Sequence, residues 1–177
     1  MTSNNIRIIP ADPKYARGMQ NVYYKTWLAT YPNKEHGITI DDIEKEFEGT
    51  LSEESLNKVR ERLSNPKDTM KVFLALDGEN VVGVCRVLLE PDRNHLKTLY
   101  VLPEYQGKGI GTMLWTEAKK LFDPNKPTTL DVVTYNAHAI EYYKRLGFED
   151  TGERFTEERF RMPSGNIMPE MRMKLKS

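Results

Sequence analysis

Apolar positions along the chain switch repeatedly between a spacing of two and a spacing of three to four, and each switch predicts a change of element. Ile6-Arg7-Ile8-Ile9 is a short β-rich run closed by Pro10. From about Lys14 to Ala29, Met19, Val22, Tyr23, Trp27 and Leu28 recur at helical spacing. The stretch from Tyr31 to Asn65 is polar; Thr39 or Asp41 is placed to cap one short helix and Ser52 another, with Glu53 and Glu54 in the latter's first turn. Asn65-Pro66 ends it. Met70 to Leu76 and Val81 to Leu89 are β-branched and apolar runs joined by Asp77-Gly78-Glu79-Asn80, a hairpin pattern.

Leu96, Thr98, Tyr100 and Leu102 alternate with Lys97, Leu99 and Val101, which predicts a strand apolar on both faces and therefore central. A glycine-rich loop follows, then a helix face of Ile110, Leu114, Ala118, Leu121 and Phe122 that stops before Asp123-Pro124. Leu130 resumes the sheet, with Asp131 to Thr134 extended. Asn136 to Leu146 reads as a helix with Asn as N-cap, Lys144 and Arg145 in the last turn and Gly147 just beyond. From Phe148 a long hairpin turns at Pro163-Ser164-Gly165-Asn166, and Met171, Met173 and Leu175 alternate with Arg172, Lys174 and Lys176 in a half-buried last strand. Strands interleaved with helices in this order predict one α/β domain over residues 1–177, a mixed sheet of about seven strands flanked by about four helices.

Charge narrows the partners. The 177 residues carry 26 Lys+Arg against 26 Asp+Glu, spread along the chain, so the basic footprint of a nucleic-acid binder is missing. The polar start, Met1 to Asn5, lacks a basic and apolar leader pattern, and no apolar run approaches membrane-spanning length, so a cytoplasmic protein with no membrane partner is expected. Cys85 is the sole cysteine; it leaves no internal disulfide or thiolate zinc site, and no metal is expected.

The segment Leu99-Tyr100-Val101-Leu102-Pro103-Glu104-Tyr105-Gln106-Gly107-Lys108-Gly109-Ile110-Gly111-Thr112 runs from strand through loop into helix. Glycines at alternate positions let successive amides converge, and a helix N-terminus adds partial positive charge, an arrangement suited to a phosphate or pyrophosphate. It is not a Walker A loop, since no Gly-Lys pair is followed by Ser or Thr. A dinucleotide fingerprint needs glycine where Thr112 stands.

Gln106-x-x-Gly109-x-Gly111, after a strand and before a helix, resembles the acetyl-CoA pyrophosphate loop of the GNAT superfamily of N-acetyltransferases. Asn136-x-x-Ala139-x-x-Tyr142-Tyr143-x-x-x-Gly147-Phe148 is similar to that family's other cofactor segment. The resemblance covers about residues 70 to 150. It implies a GNAT-like fold, acetyl-CoA as cosubstrate and direct transfer to a small-molecule primary amine in a ternary complex by a monomer or homodimer. A non-catalytic acyl-CoA-binding or regulatory module of the same fold is the alternative.

By the same resemblance, the strand ending at Val101 splays from its neighbour and leaves main chain for the pantetheine arm, lined by Leu99, Tyr100 and Val101. Gln106, Gly107, Lys108, Gly109, Ile110, Gly111 and Thr112 would hold the pyrophosphate, and Asn136 the pantetheine region. The N–H of Val101 would stabilise the oxyanion, and Tyr143, near the sulfur, would protonate the leaving thiolate. Tyr142 reads as packing. Asp131 stands where some members carry a catalytic Glu, and is the foremost candidate base; Glu90 and His95 are weaker ones. Acceptor contacts are expected from Tyr24, Trp27 and Tyr31 and from residues near Phe155 to Met162. The acidic stretch Asp41, Asp42, Glu44, Glu46, Glu48, Glu53 and Glu54 would attract a cationic amine, and with the Trp27 to Tyr31 region it loosely resembles the polyamine-acetylating branch of the superfamily, which implies a small primary amine or polyamine as acceptor.

Overall fold

The computed structural model describes residues 5–176; Met1 to Asn4 of the polar start, and Ser177, lie outside them. Seven strands form one sheet: β1 (Ile6–Pro10), β2 (Met70–Asp77), β3 (Asn80–Leu89), β4 (Asn94–Val101), β5 (Thr128–Val133), β6 (Phe148–Arg161) and β7 (Ile167–Leu175). Their spatial order is β1-β2-β3-β4-β5-β7-β6. Neighbours are antiparallel except β4 and β5, whose crossover carries a helix. The helices are α1 (Ala16–Thr30), α2 (Ile40–Glu46), α3 (Glu53–Ser64), α4 (Ile110–Lys119) and α5 (Ala137–Arg145).

There are five helices against about four expected, and the polar segment folds as the two short ones that its caps predict. Thr39 caps α2 and Ser52 caps α3, and Gly49, at φ +73°, lies in the turn between them. Asn136 caps α5 through its side chain, which accepts from the Ala139 amide at 3.2 Å.

Two apolar clusters meet across the sheet. The larger joins Val22 of α1, Leu56 of α3 and Leu114 and Trp115 of α4 to Leu74, Val84, Leu96, Leu130 and Met173 of the strands. The smaller gathers Trp27, Tyr31, Ile38, Ile43, Val133, Met162 and Met168. Tyr100 packs against both. Cys85 is fully buried in the larger cluster, where burial pushes its thiol up to about 12 and leaves it a small inert hydrophobe.

The alternation expected in β4 is interrupted. Thr98 pairs with Arg86 and Leu96 with Val87, so Lys97 is an extra residue in the β3–β4 ladder, a bulge. Beyond it the face of each residue is exchanged, which lets Leu96, Leu99 and Val101 all pack toward the larger cluster while Tyr100 reaches α1. Past the bulge β4 also leaves β5: their pairing is confined to Asn94, His95 and Leu96 opposite Thr128, Thr129 and Leu130.

Candidate active site

The divergence of β4 and β5 opens a cavity of about 820 Å³ that runs from the glycine loop, past the gap, to α1, β6 and β7. Its first wall is main chain. The Leu102 amide donates to Val82 O at 2.9 Å, so Leu102 faces β3. In an antiparallel ladder successive residues turn their N–H and C=O to opposite edges. The polar groups of Val101, and of Leu99 two residues earlier, therefore face the gap. Gln106 uses that geometry: its Nε2 donates to Val101 O at 3.0 Å, bracing the loop against the strand end. The Val101 N–H stays directed into the cavity, at the place where an incoming acyl carbonyl could accept it.

The second wall is the loop into α4. Gly107 and Gly109 have φ of +73° and +79°, a region L side chains rarely adopt, and a Cβ on either would meet nothing within 4 Å, so open space lies over both. Gly109 is the N-cap of α4 and supplies no side-chain cap, which leaves the first amides of the helix for a guest. At Gly111 a Cβ would stand 3.0 Å from the Tyr142 hydroxyl. That hydroxyl has no hydrogen-bond partner among the described residues. These features fit the pyrophosphate of acetyl-CoA: amides, helix N-terminus and a spare donor, with the crowding side chains omitted. Lys108 does not line the cavity; its Nζ lies 4.8 Å from the centre of the Tyr105 ring.

Tyr143 projects from α5 into the middle of the cavity wall and is only 9% exposed. Burial raises its phenol well above the ordinary value, so it is a proton donor throughout the physiological range. Leu99, Tyr100, Ile110, Thr112 and Asn136 line the same cavity. Tyr100 is held by two hydrogen bonds of 3.1 Å, from Trp27 Nε1 and with the Tyr31 hydroxyl. Tyr135 closes this side, donating to Tyr31 O at 2.9 Å.

The opposite wall is built from side chains. Asp131 and Arg172 face each other across the β5–β7 ladder, and Arg172 Nε donates to Asp131 Oδ1 at 2.9 Å. His95 is 2% exposed; its Nδ1 lies 3.0 Å from Thr129 Oγ1 and its Nε2 3.7 Å from Asp131 Oδ2. Burial pushes the imidazole down to about 4, against the pull of Asp131. Asp131 thus sits in the cavity as the member of an ion pair rather than as an unengaged carboxylate. Glu90 is engaged by Arg93 and lies outside the cavity lining.

The acceptor end differs from the sequence expectation. Tyr31 lines the cavity, but Trp27 is buried beneath it and Tyr24 packs on Phe47 with ring centres 5.5 Å apart; neither reaches the lining. Residues at i, i+3 and i+7 share a helix face, and here that face mainly fills the smaller core. From the last hairpin, Arg159 and Phe160 reach the cavity. None of the seven acidic residues between Asp41 and Glu54 lines it. Asp42 is 2% exposed: it accepts from the Thr39 amide at 2.9 Å and from the Ser164 amide at 2.9 Å, tying α2 to the β6–β7 turn. Asp41, Glu53 and Glu54 are paired with Lys45, with Arg17 and Arg60, and with Lys58.

Sequence reasoning passed over Glu170. It follows Met168 on β7 and shares the polar register of Arg172 and Lys174, which reads as a solvent face. In the structure Glu170 is instead 4% exposed and lines the cavity together with Thr26 and Ala29 of α1 and Arg159 and Phe160 of β6.

The family model described as an acetyltransferase (GNAT) domain matches residues 28–164. No curated protein matches the sequence. Solved structures match it along nearly its whole length. A PaiA N-acetyltransferase from Thermoplasma acidophilum in complex with coenzyme A is 22% identical over 98% of this chain and 99% of that one, with a TM-score of 0.71. A GCN5-related N-acetyltransferase from Rhodopseudomonas palustris is 20% identical, covering 100% and 99%, with a TM-score of 0.69. A SpeG spermidine N-acetyltransferase mutant from Vibrio cholerae is 18% identical, covering 97% and 93%, with a TM-score of 0.65.

Proposed function

The chain belongs to the GNAT acetyltransferase family, and from that premise we propose that it transfers the acetyl group of acetyl-CoA to a small-molecule primary amine by direct attack in a ternary complex. The observation that carries this reading is the convergence, in one cavity, of an outward-facing Val101 N–H, an open glycine loop at a helix N-terminus, and the buried Tyr143 phenol.

Acetyl-CoA, the family's cosubstrate, supplies an activated acyl carbonyl when bound. Gly107 to Thr112 hold the pyrophosphate through amides. Leu99 and Val101 present the gap-facing edge of β4 to the pantetheine arm, in the manner of an added strand. The Val101 N–H donates to the carbonyl oxygen as negative charge develops on it, a contribution of about 2.7–4 kcal/mol for one such donor in a dry site. Tyr143 donates its proton to the sulfur as the C–S bond breaks. A phenol kept protonated by burial suits that role. Neither Cys85, sealed in the core, nor any other nucleophile is used. The protein acts in the cytoplasm as a monomer or homodimer.

The leaning toward polyamines loses its basis in the acidic stretch, whose carboxylates cap helices, pair with bases or lie on the surface away from the cavity. An amine acceptor keeps a basis in Asp131 and Glu170, which line the cavity itself.

Thiol release from acetyl-CoA in the presence of polyamines, amino acids, aminoglycosides and peptides tests the proposal. Release with at least one amine is expected. Calorimetric binding of acetyl-CoA without release for any acceptor would establish the binding module instead.

A further inference from the structure

Among the described residues, four buried side-chain polar atoms lack a hydrogen-bond partner, and three of them belong to residues that line the cavity: the Thr26 hydroxyl on α1, the Tyr142 hydroxyl at the glycine loop and Glu170 Oε2 at the far end, the last being the one carboxylate oxygen among them. A carboxylate oxygen buried without a partner forfeits its hydration with nothing in return. Its partner is therefore to be sought in what the cavity binds.

We propose that Glu170 is the catalytic base: its unpartnered oxygen receives the acceptor's ammonium and takes the proton that the nitrogen must lose before it can attack. This deepens the acetyltransferase reading and rests on it. The other two candidate proton acceptors in this wall, Asp131 and His95, are already engaged. Asp131 holds Arg172 at 2.9 Å, and His95 is fixed on Thr129 at 3.0 Å. Glu170 stands on β7 opposite Val133, two register positions from the Asp131–Arg172 pair and so on the same face, lining the cavity that opens where β4 and β5 part.

The proton accounting closes. An alkylammonium, titrating near about 10.4, transfers one proton to Glu170, and the freed lone pair forms the C–N bond. As the C–S bond breaks, Tyr143 protonates the sulfur, and its phenoxide recovers the second proton of the nitrogen. Glu170 then returns its proton to solvent.

The charged groups around Glu170 suit the task. Burial, with Glu157 of β6 and Asp131 of β5 adding like charge, pushes its carboxyl up to about 7, while Arg159 of β6 and Lys97 at the β4 bulge pull it down. The gap to the ammonium narrows from about six units for an ordinary Glu to about three.

The test is the pH dependence of turnover for the native protein and for Glu170→Gln and Glu170→Asp, with an amine that the native protein acetylates. Gln keeps the shape and removes a buried charge, so folding is retained, and acetyl-CoA affinity by calorimetry serves as the check. Native turnover is expected to rise with pH through about 7, because the carboxyl acts ionised. Glu170→Gln is expected to lose 10²-fold or more in kcat and to lose that limb, with acetyl-CoA binding retained and Glu170→Asp intermediate. If Glu170→Gln keeps kcat within about twofold and the same acidic limb, the assignment is overturned while the acetyltransferase reading stands. If the native protein releases no thiol with any amine, both fall.

Discussion

The two ends of the cavity present different kinds of chemical group. At the loop end, between β4 and α4, the working groups are amides: Val101 directed by the antiparallel ladder, Gly107 to Gly111 directed by positive φ and a helix start. At the proposed acceptor end, between β5, β7 and α1, they are side chains from separate elements: His95, Asp131 and Glu170, with Arg172 bound to Asp131. Main chain needs only a local geometry, which glycine and strand register impose within a dozen residues. A side-chain site needs several strands to be in register at once, since Arg172 meets Asp131 across a sequence separation of 41. The loop end is accordingly the better place for a constant guest and the acceptor end for a variable one.

The sharpest way to divide the ends is Tyr143→Phe, which spares the ring and its packing but removes the proton for the thiolate. A loss of about 10²–10⁴-fold in turnover is expected, with acetyl-CoA affinity hardly changed. Turnover within about twofold of the native protein would make Tyr143 a packed ring only.

Gly109→Val probes the loop end. At φ +79° a β-branched residue costs about 1–3 kcal/mol, and relief of that strain displaces the amides. Acetyl-CoA affinity should fall by about tenfold or more by calorimetry. Gly49→Val, at φ +73° in the α2–α3 turn, is the matched control: it should lower the melting temperature without weakening acetyl-CoA binding. Equal affinities for the two variants would remove the loop from the binding site.

Asp42→Asn separates stability from acceptor binding. Burial alone would raise this carboxyl, but hydrogen bonds from Thr39 and Ser164 hold it at about 2, against an ordinary 3.8. A depressed folded value means stability that is present above about pH 4 and is lost as the pH falls toward 2. The variant should unfold more easily at neutral pH, by about 0.5–2 kcal/mol in denaturant titrations, and should lack that acid dependence. Its amine KM should not move. A raised KM with unchanged stability would restore Asp42 to the acceptor site.

The smallest effect is expected from Asp41→Asn with Glu44→Gln. Both positions are exposed and off the cavity, and among the described residues Asp41 pairs with Lys45 alone. Stability should change by no more than about 1 kcal/mol, and the amine KM at low and high salt should match the native protein. A salt-dependent rise in KM would show that this face steers the acceptor after all.

Legibility in the sequence followed the same division. The loop was readable because Gly107, Gly109 and Gly111 and the strand before them are contiguous. The helix carrying Tyr143 was readable because its cap, Asn136, and its stop, Gly147, bracket it. The polar face of β7 was misleading. Alternation shows which residues point the same way but not whether that way leads to water, so Glu170 and Arg172 looked alike. Likewise the stripe Tyr24, Trp27, Tyr31 showed a helix face without showing what covers it.

By itself the sequence determined the order of elements, the caps, the glycine loop into α4 and the family, because each rests on backbone preferences or short local motifs. Only the tertiary structure decided the rest. The bulge at Lys97 exchanged the faces of β4, the parting of β4 from β5 opened the cavity, and the assembled sheet left Glu170 of the polar β7 register buried in the lining of that cavity. Each of these is a relation between strands distant in sequence. Burial, and with it the raised carboxyl of Glu170, exists only once those strands are assembled.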